Sequence, residues 1–140
     1  MMEIDNQDDE GGASPADDDV GVELDRIVDR YFAAMRQGAS AEAEMLSLFC
    51  EDATYSEPFS GLEPAIGLAA IRQRFRHGWE QPLPDMELDV LEVEVSPGNA
   101  RSRWECRSPA LPGPVQGEDH YEFRDGRISR LEVRFLADRD

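Results

Sequence analysis

Three polar residues stand at positions where the sequence pattern otherwise places apolar side chains. Tyr31 falls on the apolar stripe of a predicted helix, and Glu57 and Asp119 fall on the apolar faces of two predicted strands. Buried polar groups are more informative than exposed apolar ones, because burial is costly unless the group is hydrogen-bonded or used. A Tyr and two carboxyls on three separate elements therefore define the first candidate site.

The chemistry that suits such a set is proton transfer next to a carbonyl group. One carboxylate can act as the base, while a hydroxyl and a protonated carboxyl donate hydrogen bonds to the enolate oxygen. Each residue alone also has a structural interpretation: Tyr31 as a core aromatic, Glu57 as a solvated strand end, and Asp119 as the partner of an Arg. Because burial raises the pKa values of carboxyl groups, the combination favours a functional cavity.

The helices that position these residues are predicted from the apolar spacing. The first has its stripe over residues 24–35 and ends at Gly38, the second begins near Ser40, and the third covers residues 65–79. Pro82 and Pro84 then end the helical pattern.

Alternating patterns predict five strands, with a hairpin turn at Asp125 and Gly126 before the last one. The apolar phase shifts near Val90, which predicts a β-bulge there. The predicted strands cover residues 53–59, 86–95, 100–108, 115–123 and 128–136. Helices followed by a meander of strands predict an α+β domain, a cone-shaped curved antiparallel sheet with three N-terminal helices that enclose an apolar pocket.

The charge balance excludes several classes of partner. The 140 residues carry a formal charge of −17, from 31 acidic and 14 basic residues, which disfavours nucleic acid and membrane surfaces. Residues 1–20 carry eight acidic residues, no basic ones and few apolar ones, so we expect a disordered tail followed by one domain over residues 21–137. No apolar run or leader pattern indicates a membrane span or a secretion signal, and we expect a cytoplasmic protein. His77 and His120 lack neighbours at ligand spacing, so no metal or cofactor is expected.

Three segments together resemble the ketosteroid isomerases of the nuclear transport factor 2-like superfamily: DRYFAAMRQG, LFCEDATYSEPFSGLEPAIGLAAIRQRF and EDHYEFRDGRI. The resemblance runs from about Leu24 to Phe135. It implies that Tyr31 and a protonated Asp119 form an oxyanion hole, and that Glu57, just before Pro58, is the general base. A carboxylic acid kept neutral by an apolar site is an idea for which ketosteroid isomerase is itself the standard example.

Two departures from the family pattern bear on these roles. Glu57 is Glu where the family has Asp, and Phe75 stands where some members carry a further Tyr, which implies a shorter hydroxyl network. The pattern also places no Arg on an inner face, which disfavours the Arg-dependent epoxide hydrolases of the same superfamily.

An isomerase that shifts a proton alpha to a carbonyl in a small hydrophobic ketone is therefore the leading hypothesis. The alternatives are a non-catalytic binding module for an apolar ligand and another chemistry of the superfamily, such as polyketide cyclisation. A homodimer through the open sheet face is expected, with rows of Arg and Glu in the interface. The pocket walls are predicted to be apolar and aromatic: Phe59, Phe75, Met86, Trp104, Tyr121, Phe123 and Phe135.

Overall fold

The longest helix, α1, spans Pro15–Gln37 and turns its apolar stripe toward the core. The computed structural model describes residues 15–58 and 61–136, with side chains from residue 23 onward. Gly38 follows the helix with a φ of 84°, a left-handed conformation that glycine adopts without strain. Because α1 begins at Pro15, it includes residues that the sequence assigned to the tail, and residues 1–14 lie outside the described residues.

Two further α-helices complete the helical layer. A 3-10 turn over Gly38–Ala41 leads into the short helix α2, Glu42–Ser47, and α3 covers Leu68–Trp79. The sequence placed the start of the third helix at residue 65, but Ala65–Ile66 form a strand, β2, that pairs with the preceding strand. The third helix therefore follows two strands in the chain, and the expected arrangement of three N-terminal helices is not what the structure shows.

Within the described residues the sheet has six strands, in the order β2-β1-β6-β5-β4-β3. Its neighbours are antiparallel except that β1 pairs with β6 in parallel, so the sheet is mixed and not wholly antiparallel as expected. A parallel pair needs a long connection, and here β2, α3, β3, β4 and β5 all lie between its two strands in the chain. The remaining strand bounds are Phe49–Ser56 for β1, Glu87–Ser96 for β3, Asn99–Arg107 for β4, Val115–Arg124 for β5 and Arg127–Phe135 for β6.

Irregularities in the register bend this sheet. The pairing of β3 with β4 shifts between Val90 and Glu92, which confirms the predicted bulge. The β5–β6 hairpin turns at Asp125 and Gly126, whose φ angles of 56° and 77° suit a tight hairpin turn. Helix α1 packs against β3 and β4 and α3 against β1, so the core lies between the helices and the inner face of the sheet.

Ion pairs cover the outer face of the sheet. Arg101 contacts Glu94 at 2.8 Å and Glu118 at 2.6 Å, and Arg107 bridges Glu87 on β3 and Glu105 on its own strand. The rows of Arg and Glu that the sequence placed in an interface are thus already paired within one chain. No helix among the described residues has the length and apolar character needed to cross a bilayer.

The expected homodimer stays a prediction that the mass in solution tests. One face of the sheet packs on the helices and the other carries a continuous charged surface, which a second copy of the chain can cover. Light scattering at micromolar concentration should give twice the mass of one chain. A single-chain mass over that concentration range would contradict the prediction.

Candidate functional site

Asp119 lies in the interior of the domain, 2% exposed, on strand β5 between β4 and β6. Both of its carboxyl oxygens accept hydrogen bonds from neutral donors. Trp104 Nε1 donates to Oδ1 at 2.9 Å, and the Tyr121 hydroxyl donates to Oδ2 at 3.2 Å. Ser102 also hydrogen-bonds Asp119, and its Oγ lies 2.9 Å from the Tyr121 hydroxyl oxygen.

Burial dominates the acidity of this carboxyl. It raises the pKa of Asp119 to about 7, against the opposing effect of the hydrogen bonds from Trp104, Tyr121 and Ser102. Neutral donors stabilise the anion less than a full positive charge does. At mildly acidic pH the Asp119 carboxyl is therefore protonated and can itself donate a hydrogen bond.

A glycine fixes the indole that contacts Asp119. Gly117 lies directly opposite Trp104 in the β4–β5 register, and the indole lies over its backbone. A Cβ at residue 117 would stand only 2.1 Å from Cζ2 of Trp104, so any side chain would displace the ring. Gly117 thereby sets the position of the Nε1 donor.

Tyr31 reaches the same region from α1. It is 2% exposed, and its ring meets that of Tyr121 edge-on with centroids 6.0 Å apart. Its hydroxyl lies near that of Tyr55 of β1, and each hydroxyl influences the pKa of the other. Burial first, and then the nearby Tyr55 and Asp119 groups, raise the pKa of Tyr31 well above its usual range, so it remains a hydrogen-bond donor.

Tyr55 is a member of the site that the sequence reasoning missed. Its ring stacks on Phe75 with centroids 4.8 Å apart, and its pKa is raised by burial and then by the charges of Glu57 and Asp119. The hydroxyl network is therefore not shortened by Phe75, as the family comparison implied, because Tyr55 supplies a hydroxyl from the neighbouring strand. Side chains alternate along β1, so residues 55 and 57 lie on the same face. This alternation was the sequence signal from which Tyr55 could have been identified as a site residue.

Glu57 lies one residue after the end of β1, and its side chain is only 4% exposed. Arg74 Nη1 of α3 lies 2.8 Å from Glu57 Oε2, and the Arg74 side chain is 11% exposed. The expectation that no Arg reaches the interior was therefore wrong. Arg74 flanks the apolar stripe of α3, and its long side chain extends inward from that flank, which a residue-by-residue pattern does not show.

These contacts bring the three predicted site residues into one region. Glu57, Asp119 and Tyr31 all lie close enough to Tyr55 to influence its pKa. The arrangement places an ion-paired carboxylate and a neutral carboxyl around a group of phenol hydroxyls. Such a set can take a proton from carbon and hold the resulting oxyanion.

The predicted wall residues differ in burial. Phe75, Trp104 and Tyr121 are buried, and Met86 and Phe123 are half-buried against the core. Phe135 is 46% exposed, because it is the last residue of β6 and lies opposite Gly117, which has no side chain to cover it. Phe59 lies outside the described residues.

Two surface cavities are present, and the second of them is lined in part by Tyr121 and Phe123. One, of about 410 Å³, is lined by Asp85, Glu87, Arg107 and the loop that follows β4. The other, of about 740 Å³, lies at the turn between β3 and β4 beside Phe123 and Arg124. Tyr31, Glu57 and Asp119 line neither of them. Within residues 15–58 and 61–136, no cluster of three or more His, Cys, Asp or Glu residues is placed to hold a metal ion.

Comparison with known proteins gives a family and a fold. A family model described as the SnoaL-like domain matches residues 28–131. No curated protein matches the chain significantly.

Solved structures share the fold at low identity. A provisionally named ketosteroid isomerase of Kribbella flavida is 20% identical, with a TM-score of 0.69 over 86% of this chain and 82% of that one. A provisionally named polyketide cyclase of Sinorhizobium meliloti is 23% identical, with a TM-score of 0.65 over 80% and 98%. An NTF2-like protein of unknown function from Burkholderia pseudomallei is 18% identical, with a TM-score of 0.69 over 81% and 91%.

The titration of Asp119 should appear in the pH dependence of stability. The folded chain holds this proton up to about pH 7, whereas the unfolded chain releases it near its ordinary value of 3.8. The folded state therefore binds more protons between these values, and the free energy of unfolding should fall as pH rises through the window, by up to roughly 4 kcal/mol. Urea unfolding at closely spaced pH values measures this fall.

Asp119→Asn provides the control, because it keeps the shape of the side chain and removes its titration. In this variant the free energy of unfolding should not fall between about pH 4 and pH 7, and carboxylates whose pKa values are lowered by Arg partners should make it rise slightly with pH at the acidic end. An equal fall in the variant would show that another group is responsible.

Proposed function

The chain belongs to the SnoaL-like domain family, and from that premise we propose that it is an isomerase that shifts a proton alpha to a carbonyl in a small hydrophobic ketone. The observation that carries the proposal is the contrast between two buried carboxyls around one group of tyrosines. Glu57 is paired with a guanidinium, whereas Asp119 is surrounded by neutral donors. Contrasting environments of this kind separate the roles of base and acid.

Glu57 is the base in this proposal. Its carboxylate takes a proton from the carbon next to the carbonyl, and the electron pair of the broken C–H bond moves into the enolate. The same carboxyl then returns the proton to a different carbon of the conjugated system, and the carbonyl re-forms. The reaction leaves the composition of the ketone unchanged and requires no cofactor.

Tyr31 and protonated Asp119 stabilise the enolate. Both groups are buried, so their hydrogen bonds to a developing negative charge act with little competition from water. Tyr55 lies near the Tyr31 hydroxyl, while Trp104 and Tyr121 hydrogen-bond the Asp119 carboxyl and fix its orientation. The aromatic side chains around them favour a small hydrophobic molecule as the ligand.

Cyclisation of a polyketide is the second candidate. Removal of a proton alpha to one carbonyl, followed by attack of that carbon on another carbonyl, needs the same base and the same donors. The shared fold with a structure named as a polyketide cyclase supports this candidate. A Glu57 turned outward into solvent would favour the binding-module alternative, and its side chain is instead only 4% exposed.

Removal of the base separates catalysis from binding. Glu57→Gln should abolish isomerisation of a β,γ-unsaturated ketone but leave the affinity for a phenolic enolate mimic nearly unchanged, because the oxyanion donors remain. Tyr31→Phe should weaken both the rate and the affinity for the mimic, by roughly 2–4 kcal/mol in the barrier. Absorbance at the wavelength of the conjugated product follows the reaction, and calorimetry measures the affinity.

The outcome also separates the candidates. A wild-type protein that isomerises none of several such ketones but closes a ring in a linear poly-β-carbonyl chain would establish the second candidate. A protein that binds the mimic and catalyses neither reaction would be a binding module.

The activity should depend on the proton of Asp119. Because this group must be protonated to donate, kcat/KM should fall as pH rises above about 7. Asp119→Asn retains an N–H donor that does not titrate, so its lower activity should not show this alkaline decline. A wild-type activity that stays constant to pH 9 would contradict the role given to Asp119.

A further inference from the structure

We infer that Arg74 is a positioning residue for Glu57: its guanidinium pairs with the buried carboxylate and holds it to the backbone that leads into β2. The effect of Arg74 on activity rests on the proposed function, whereas the ion pair between Arg74 and Glu57 does not depend on it. Nothing in the three matched sequence segments marks Arg74 for this role, and the structure alone brings it to Glu57.

The pair is buried on both sides. The Glu57 and Arg74 side chains are 4% and 11% exposed, and the nitrogen and oxygen that join them are 2.8 Å apart. The other ion pairs of α3 differ from this one. Arg76 contacts Glu42 at 2.6 Å, yet the Arg76 side chain is 51% exposed and its charge is solvated. A buried charge that loses its partner is strongly destabilising, whereas an exposed pair contributes little.

The guanidinium uses its two terminal nitrogens for different partners. Nη1 holds Oε2 of Glu57, and Nη2 donates to the backbone carbonyl of Glu63. Arg74 therefore ties the carboxylate to a fixed point of the backbone. A lysine supplies the charge but not this planar fork, so it can replace only part of the function.

The backbone around Glu63 is anchored to the sheet. Residue 63 lies two positions before β2, and Ala65 pairs with Tyr55 of β1. The Gly67 N–H donates to the Ala53 carbonyl at 2.8 Å, and Ile71, which is fully buried, donates its N–H to the Gly67 carbonyl. Glu57 is consequently positioned against β1, β2 and α3 together through one side chain.

Other titratable groups surround the pair and must be held constant in a test. Among the described residues, Tyr55 on β1 interacts with both members of the pair, and Tyr31 on α1 and Asp119 on β5 interact with Tyr55. All three are retained in every variant compared below. Their own titrations therefore cancel in the differences between variants.

Unfolding measurements test the ion pair without any substrate. Arg74→Gln removes the guanidinium that faces the buried Glu57 carboxylate, so it should lose more stability relative to wild type at pH 8 than at pH 5, because acid favours the neutral form of any carboxyl group. The double variant Arg74→Gln/Glu57→Gln should recover most of that loss at pH 8. Arg76→Gln is the matched control on the same helix and should change stability little at either pH.

The inference fails if Arg74→Gln and Arg74→Gln/Glu57→Gln are equally destabilised and their stabilities depend on pH in the same way. That outcome would mean that Arg74 acts only through packing. If Arg74→Gln does not fold, Arg74→Lys gives the same comparison with the charge retained, and it should show no extra loss at pH 8.

Steady-state kinetics test the positioning role. Arg74→Gln should lower kcat on the order of 10- to 100-fold with KM changed little, and it should move the acid limb of the kcat/KM profile to higher pH. Arg74→Lys should restore the acid limb but only part of kcat, because it lacks the second contact. If Arg74→Gln and Arg74→Lys lost kcat equally and the acid limb of the kcat/KM profile stayed at the wild-type pH in both, the positioning role of Arg74 would be overturned. A wild-type protein without isomerase activity would refute the proposed function. The unfolding comparison would still show whether Arg74 and Glu57 stabilise each other as an ion pair.

Discussion

A carboxyl group inside an apolar domain must either stay neutral or be matched by an opposite charge, and this site contains one example of each. Asp119 has only neutral hydrogen-bond donors, and burial raises its pKa to about 7. Glu57 faces the Arg74 guanidinium instead. Burying either charge without a proton or an opposite charge to neutralise it would cost several kcal/mol. The surrounding elements must therefore bring the neutralising groups close to each carboxyl.

The fold supplies those placements from separate parts of the chain. Strand β5 carries Asp119 into the interior of the sheet, and the absence of a side chain at Gly117 lets Trp104 lie across the strand with its N–H toward the carboxyl. Helix α3 brings Arg74 to the end of β1, and α1 adds Tyr31. Many solved structures share this scaffold at low identity, among them proteins named for different activities, so the activity must be argued from the polar groups and not from the scaffold.

Local periodicity was sufficient for most of the fold and for the three central polar residues. The helix stripe and the strand alternation place Tyr31, Glu57 and Asp119 inside, and a shift of phase locates the bulge near Val90. Features set by tertiary contacts were not accessible in this way. The parallel pairing of β1 with β6 and the two-residue strand β2 depend on distant partners, and so does the inward reach of Arg74. Tyr55 had a local signal, but the nearby Tyr31 lies on another element.

The charge state of Asp119 decides whether the site can hold an oxyanion in the manner described. Carbon-13 NMR of the side-chain carboxyls, in protein labelled at aspartate, observes that state directly. The account predicts one resonance that titrates with a pKa of about 7 and is missing from Asp119→Asn. If every aspartate resonance instead titrated near the ordinary value of 3.8, Asp119 would be an anion at neutral pH and the account would be wrong.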